Sequence, residues 1–278
     1  MTGTPSVGVQ SNYSVGGKSI TFRYIQTNHN NISILKTNGQ AINLVGSHGC
    51  GINGTFYYQS APQGAINAGY SNGMIYRVSV NGGASIMGKG EKNRLTATAD
   101  GNCGTILCYN NTLNGKKMFC IDMKDFNTAY IGTTKVALSA IKWAVGGSNL
   151  YLDQSFSNAT EFGNAIGSQD ENKINLRNRT AILINPNSTG GSANDVVLLA
   201  AFAASGTGYV SDGGVNGISL WNLREYCRTK FPGYVGINVD GGGSTAISYF
   251  NNNAYTVVYS ESPIRKIPAM IHTEMPVV

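Results

Sequence analysis

Residues 234–250 read YVGINVDGGGSTAISYF, two apolar runs joined by a glycine-rich segment. The apolar run 234–239 predicts a buried strand, and residues 246–250 predict a second one. Between them, residues 240–245 supply one carboxylate, three glycines and two hydroxyls. Successive glycines cost backbone entropy on folding, so a chain tolerates them where its backbone must approach something closely. Three glycines exceed what a two-residue hairpin needs, which favours a ligand site over a simple turn.

Outward from this stretch, hydrophobic patterning predicts strands before it. Alternation over 20–26 predicts one strand, with 32–35 as its hairpin partner. Asn114-Gly115 is typical of a tight turn between two further strands. Residues 180–184 and 196–203 are nearly unbroken apolar runs, which indicates central strands that are covered on both faces. Further strands are predicted at 105–109, 118–121, 180–184 and 196–203.

The middle of the chain predicts helices. Residues 134–145 place apolar side chains at helical spacing, with Gly146-Gly147 as the stop. Asn158 and Ser219 stand where N-caps would open two more helices. We therefore expect an α+β fold, a single domain in which helices pack on a twisted, mixed β-sheet. Residues 1–19 are interpreted as an N-terminal extension and 20–278 as the domain.

Composition narrows the class of function. The chain has 278 residues, of which 12% are charged and 41% hydrophobic, as in a globular protein. Its net charge of +6 suits an anionic partner, but the basic residues are scattered, so no nucleic acid is expected. No transmembrane run and no CxxC pair for a zinc ribbon occur in the sequence. The sequence contains no signal peptide, and together with its Asn- and Gly-rich composition this suits a bacterial or phage protein. An extracellular or phage-associated location is favoured over a cytoplasmic one.

Two further motifs carry polar residues suited to a site. Asn53 stands between glycines in GCGINGTFY (49–57), where its amide could both donate to and accept from a substrate, although Asn-Gly alone also predicts a hairpin turn. Arg179 precedes a buried strand and could hold a phosphate bidentately, although a solvated loop arginine would look the same. His48 lies close to Asn53 in sequence and is a further candidate.

Taken in order, these motifs resemble those of the phosphodiester glycosidase family. The matching segments are Gly51-Ile-Asn53-Gly54-Thr-Phe-Tyr57, Arg179-Thr180-Ala181 and Asn238-Val-Asp240-Gly-Gly-Gly-Ser244-Thr245. Residues 140–150 are similar to the family's central helix, and residues 263–268 to its closing strand. Where the family often carries a Gly-Arg pair, this chain has Ala204-Ser205-Gly206. One cationic contact with the substrate is then either absent or supplied from elsewhere, by Arg224 or Arg265.

The resemblance implies a hydrolase that cleaves the sugar C1–O bond of an N-acetylglucosamine-1-phosphodiester-like substrate, releasing free sugar and a phosphate monoester. Asp240 would act at the anomeric carbon, as base, nucleophile or stabiliser of the oxocarbenium-like state. Asn53 would orient the substrate, while Arg179 and the glycine backbone would hold the phosphate. The remaining substrate-binding candidates are Gly54, Thr180, Gly241, Gly242, Gly243, Ser244, Thr245, His48 and Arg265.

Two alternatives stay open for the activity. One is a carbohydrate-binding module without catalysis on the same fold, and the other is a phosphodiesterase that cleaves the P–O bond of cell-wall or nucleotide-like esters. No cofactor is expected. Ca²⁺ or Mg²⁺ would suit the oxygen ligands around Asp240, but no second carboxylate stands nearby in the sequence to support a metal.

Overall fold

The computed structural model describes residues 5–37, 40–44, 50–54, 80–81, 84–85, 103–123, 129–131, 133–136, 140–166, 175–189, 194–211, 216–251, 253–267 and 269–275. Of these residues, 52% lie in strands and 15% in helices. The expectation of an α+β fold with packed helices on a mixed sheet was therefore wrong. The molecule is mostly β, and its large sheet curls into an antiparallel half-barrel.

Ten strands form the large sheet, in the order β1-β2-β13-β12-β15-β11-β5-β6, with the β7–β8 hairpin attached to β11. Its strand pairs are antiparallel throughout. The strands are β1 (Ser6–Val15), β2 (Lys18–Thr27), β5 (Val80–Asn81), β6 (Ala84–Ser85), β7 (Cys103–Leu113), β8 (Lys116–Met123), β11 (Ile141–Asn149), β12 (Arg179–Ile184), β13 (Val196–Phe202) and β15 (Val235–Asn238).

The second sheet has six strands in the order β14-β17-β16-β4-β18-β3. Only its β14–β17 pair is parallel among the pairs that the structure describes. The strands are β3 (Ile32–Lys36), β4 (Gly51–Asn53), β14 (Gly208–Tyr209), β16 (Ala246–Asn251), β17 (Ala254–Tyr259) and β18 (Ala269–Thr273). A separate ribbon pairs β9 (Ala129–Ile131) with β10 (Thr134–Val136).

Two hydrophobic layers cover the large sheet, one on each face. Along β13, Val196, Leu198, Ala200 and Phe202 face the second sheet. The alternate residues Val197, Leu199 and Ala201 face the helices. Because both faces are covered, the strand reads as an unbroken apolar run, which confirms the interpretation of 180–184 and 196–203 as central strands.

The described part of the chain contains two α-helices, both on the outer face of the large sheet. They are α1 (Ala159–Ala165) and α2 (Leu220–Lys230). The predicted caps are confirmed: the Asn158 side chain accepts from the N–H groups of Thr160 and Glu161, and Ser219 accepts from Asn222. Neither helix has the length and apolar composition needed to cross a membrane.

Two other expectations meet a different outcome. The segment 134–145, predicted as a helix, contains β10 and the first part of β11 among its described residues, and Gly146 and Gly147 lie inside β11. Strand β3 pairs with β18 in the second sheet rather than with β2. Within the segment 1–19, interpreted as an N-terminal extension, residues 6–15 form β1 and pair with β2.

Candidate functional site

The glycine-rich loop, residues 240–245, lies where the chain crosses from the large sheet to the second sheet. Strand β15 ends before it at Asn238, the loop makes a 3-10 turn over Gly242–Ser244, and β16 begins after it at Ala246. Gly242 has φ +61°, a left-handed conformation that glycine adopts without strain. The Asp240 carboxylate, half-buried, accepts a hydrogen bond from the Gly241 N–H at 2.9 Å. The carboxylate is thus oriented by its own loop.

Asn53 holds this loop from the neighbouring strand. Its side chain is fully buried, and its Nδ2 donates to the Asp240 carbonyl at 2.7 Å. Its Oδ1 accepts from Thr180 Oγ1 at 2.9 Å and from the Ala246 N–H at 3.1 Å. The amide therefore joins β4, β12 and both ends of the loop. It acts on the protein itself, where the sequence suggested contact with substrate.

Gly54 continues the same support through its backbone. Its N–H donates to the Ala269 carbonyl at 2.9 Å, and its carbonyl accepts from the Asp240 N–H at 3.3 Å. The ideal Cβ of a side chain at this position would lie 2.9 Å from the Ala269 carbonyl oxygen. Strand β18 therefore approaches too closely for any residue larger than glycine, and this close approach explains why a glycine follows Asn53.

Arg179 lies beneath the loop and is almost completely buried. Its Nη2 donates to the Asn175 carbonyl at 2.9 Å, and its Nε to the Ile218 carbonyl at 3.4 Å. The side-chain stem passes under Gly241, where an ideal Cβ would lie 3.7 Å from Arg179 Cδ. The guanidinium thus supports backbone carbonyls around the loop, and little of it faces solvent.

Asn178 is the residue that sequence reasoning missed in this motif. Its backbone carbonyl accepts from the Gly242 N–H at 2.8 Å. Its side chain accepts from the Ala203 N–H and donates to Ser260 Oγ at 2.8 Å and to the Val210 carbonyl at 3.3 Å. The sequence did show a polar residue beside a buried strand, and a buried polar side chain must find hydrogen-bond partners. The sequence could not show which partners these are.

The far end of the loop contacts an ion pair. Arg265 is paired with Glu261 through its Nε and Nη2, and its Nη1 donates to Ser244 Oγ at 3.3 Å. Gly243 lies directly against this pair, so that a side chain there would collide with both partners. The Arg265 side chain is 22% exposed and that of Glu261 43%. Glu261 brings a second carboxylate to the loop, and no sequence signal pointed to it.

The loop uses most of its own N–H groups within the protein. Those of Gly241, Gly242, Ser244 and Thr245 donate to Asp240, Asn178, Gly241 and Gly242 respectively. Within the described part of the chain this leaves the Gly243 N–H, beside Arg265, as the backbone donor of the loop. Thr245 Oγ1 is buried and has no hydrogen-bond partner among the described residues. The glycine backbone thus offers an anion fewer donors than the sequence suggested.

Two further side chains, of which only Arg224 was a candidate from the sequence, take no direct part in the site. Cys50, close to Asn53 in sequence, is buried. Burial raises the pKa of its thiol to about 11, although a hydrogen bond with the Phe250 backbone acts to lower it. The thiol therefore stays protonated at neutral pH. Arg224 lies on α2, with its guanidinium 4.8 Å from the centroid of Phe156 and 5.2 Å from that of Trp221. It is fully buried and therefore cannot replace the cation that the family motif lacks.

The structure thus brings Asp240, Asn53, Gly54, Thr180, Arg265 and residues 241–245 together, with Arg179 below them. His48 lies outside the described residues. The described side chains include no cluster of three His, Cys, Asp or Glu residues that could hold a metal ion. Comparisons of the chain with protein-family models, with curated proteins and with solved structures find no significant match. The resemblance to phosphodiester glycosidases therefore rests on the motifs alone.

Proposed function

We propose that the chain is a glycosidase that hydrolyses the C1–O bond of a sugar-1-phosphodiester. The observation that supports this proposal is the loop 240–245, which has an oriented carboxylate at one end and a partly exposed arginine at the other. A reaction at a sugar phosphate needs both groups, because positive charge develops at the anomeric carbon and negative charge on the departing phosphate.

Arg265 is the cation best suited to the phosphate. It is more exposed than Arg179, and its guanidinium lies against Gly243, whose N–H adds a second donor. Glu261 forms an ion pair with Arg265. An entering phosphate would compete with Glu261 for the guanidinium, since both anions suit its planar donors. The role that the sequence suggested for Arg179 thus passes to Arg265, and Arg179 becomes a positioning residue.

Asp240 is the residue assigned to the anomeric carbon. In the hydrolysis, an oxygen of water forms the new bond to C1, the C1–O bond breaks, and its electron pair leaves on the phosphate oxygen. Asp240 takes the proton of water, forms a transient bond to C1, or stabilises the cationic sugar; Glu261 is the second carboxylate available for proton transfer. A phosphate is a good leaving group, so charge stabilisation matters more than a strong general acid.

Replacing Asp240 tests the assignment. In Asp240→Asn the Oδ1 acceptor for Gly241 is kept, so the fold should persist while turnover falls on the order of a thousandfold. The measurement is release of reducing sugar from UDP-N-acetylglucosamine and simpler sugar-1-phosphodiesters. The matched control is Asp153→Asn, which changes an exposed carboxylate outside the loop and should leave turnover unchanged. Near-normal turnover in Asp240→Asn would contradict the role.

Hydrolysis in oxygen-18 water distinguishes the alternatives. The proposal requires the label in the released sugar, because water attacks C1. Label in the phosphate would identify a phosphodiesterase that cleaves the P–O bond. Sugar binding without any released product would identify a binding module.

A further inference from the structure

Tyr209 is exposed beside the candidate site. Its side chain is 51% exposed, and Val9 at 46% is the other large hydrophobic residue that the described part of the chain leaves so open. A single exposed ring is ordinary on a protein surface. This one has a companion: the Tyr259 ring centroid lies 6.2 Å away, with the two ring planes tilted by 43°.

The two tyrosines are held side by side by the backbone. They are register partners in the parallel β14–β17 pair, and the Val210 N–H donates to the Tyr259 carbonyl at 2.7 Å. Tyr259 is half-buried and packs against the hydrophobic cluster that contains Ile267 and Met270. The pair is therefore a supported surface rather than two mobile side chains. A ligand that docks on it loses little free energy in ordering the protein.

The same asparagine fixes this pair and the glycine loop. Asn178 donates to the Val210 carbonyl and to Ser260 Oγ, each one residue beyond a tyrosine of the pair. The carbonyl of Asn178 accepts from the Gly242 N–H. Tyr259 also precedes Glu261 by two residues, at most about 7 Å of extended chain. The Ser260 N–H also donates to the Thr245 carbonyl at 3.0 Å, so the aromatic pair stands next to the loop.

The chemistry of the pair selects its ligand. Each ring offers an apolar face and a hydroxyl tip, which match the C–H face and the hydroxyl rim of a neutral sugar ring. A protein partner would need a larger surface. Two rings bury at most about 500 Å² together, whereas a specific protein interface takes about 800 Å² from each partner.

We propose that Tyr209 and Tyr259 form a second carbohydrate subsite, which receives a neutral pyranose ring of a longer glycan whose sugar phosphate lies at Asp240. This inference rests on the proposed glycosidase function. It makes the substrate an oligosaccharide or polysaccharide linked through phosphate, rather than a single sugar nucleotide. Longer glycans then gain affinity from the tyrosine pair, and a single sugar phosphate gains none.

The test is a direct binding measurement by titration calorimetry, with neutral tri- and tetrasaccharides of N-acetylglucosamine, glucose and mannose as probes. We expect one of these series to bind the unmodified chain. Tyr209→Ala should weaken that binding about three- to tenfold, and Tyr209→Phe should retain most of it. Val9→Ala is the control for loss of an exposed apolar side chain elsewhere, and it should bind as the unmodified chain does.

Three results would overturn the subsite. The first is that no oligosaccharide binds at millimolar concentration, and the second is that Tyr209→Ala binds oligosaccharide as well as the unmodified chain does. The third is that the unmodified chain self-associates and Tyr209→Ala abolishes this without affecting oligosaccharide binding, which would make the pair a contact between two copies of the chain. Because the measurement needs no turnover, its outcome is independent of the Asp240 test. If Asp240→Asn keeps full turnover while Tyr209→Ala still loses oligosaccharide binding, the proposed mechanism fails and the subsite stands.

Discussion

At the scale of single residues, buried amides carry the site. The Asn53 and Asn178 amides between them bind both ends of the loop, the strands β12 and β16, and the segments that follow β14 and β17. Such side chains have no apolar substitute, because each removed amide leaves several buried groups without partners. The loop can therefore keep the half-buried Asp240 carboxylate in place beside Arg265 although three of its residues are glycines.

Asn53→Ala tests this dependence. The change leaves the Asp240 carbonyl, the Thr180 hydroxyl and the Ala246 N–H without their partner, and each unsatisfied buried group costs about 1–3 kcal/mol. We expect the free energy of unfolding to fall by at least about 3 kcal/mol in urea titrations, together with loss of turnover. Asn111→Ala, at an exposed position of β7, is the control. A loss of turnover at unchanged stability would instead show direct contact between Asn53 and substrate.

At the scale of elements, local signals were read correctly and long-range pairings were not. The helix caps at Asn158 and Ser219, and the Asn114-Gly115 hairpin with positive φ at both residues, need only a few neighbouring residues. Strand β3 pairs with β18, more than 230 residues later in the chain, which no local pattern indicates. Glu261 reaches the loop by the same kind of long-range placement, and so it could not be predicted.

The composition of β11 explains why its hydrophobic pattern was interpreted as that of a helix. It is buried on both faces and pairs with β7 and β15, so almost every position is apolar or small, and helical spacing can be found in it by chance. Gly147, interpreted as a helix stop, serves a different purpose. A Cβ at this position would collide with the Asn238 carbonyl oxygen on the adjacent strand β15.

Gly147→Ala should therefore act on the site from a distance. The added methyl must push β15 away just before it enters the glycine loop, and overpacking of this kind costs about 1–3 kcal/mol. We expect a lower urea midpoint and reduced turnover. In the control Gly206→Ala, the nearest atom, Val210 Cγ2, lies 3.7 Å from the new Cβ, and both properties should stay unchanged. Normal stability in Gly147→Ala would mean that the two strands separate without cost.

At the scale of the whole molecule, the two sheets and the helices enclose thiols in separate layers. Cys108 lies in the core between the sheets, Cys227 in the core beneath the helices, and Cys50 just before β4. Burial raises the pKa of Cys108 to about 12 and that of Cys50 to about 11, and it raises the pKa of Cys227 further. Every one of these thiols is therefore protonated in the folded chain well above neutral pH.

This burial predicts a loss of stability in alkaline solution. Between about pH 9 and about pH 11 the unfolded chain releases these thiol protons while the folded chain retains them. The unfolded state then binds fewer protons, so the free energy of unfolding falls as the pH rises, by roughly 1 kcal/mol per pH unit for each thiol. Urea titrations across this range measure the slope. Replacing both Cys50 and Cys108 by Ala should make the slope shallower, whatever the variant loses in stability at neutral pH through the cavities it creates. An equal slope in the two proteins would show that these thiols lose their protons in the folded chain. The packing around them would then admit solvent more readily than their burial implies.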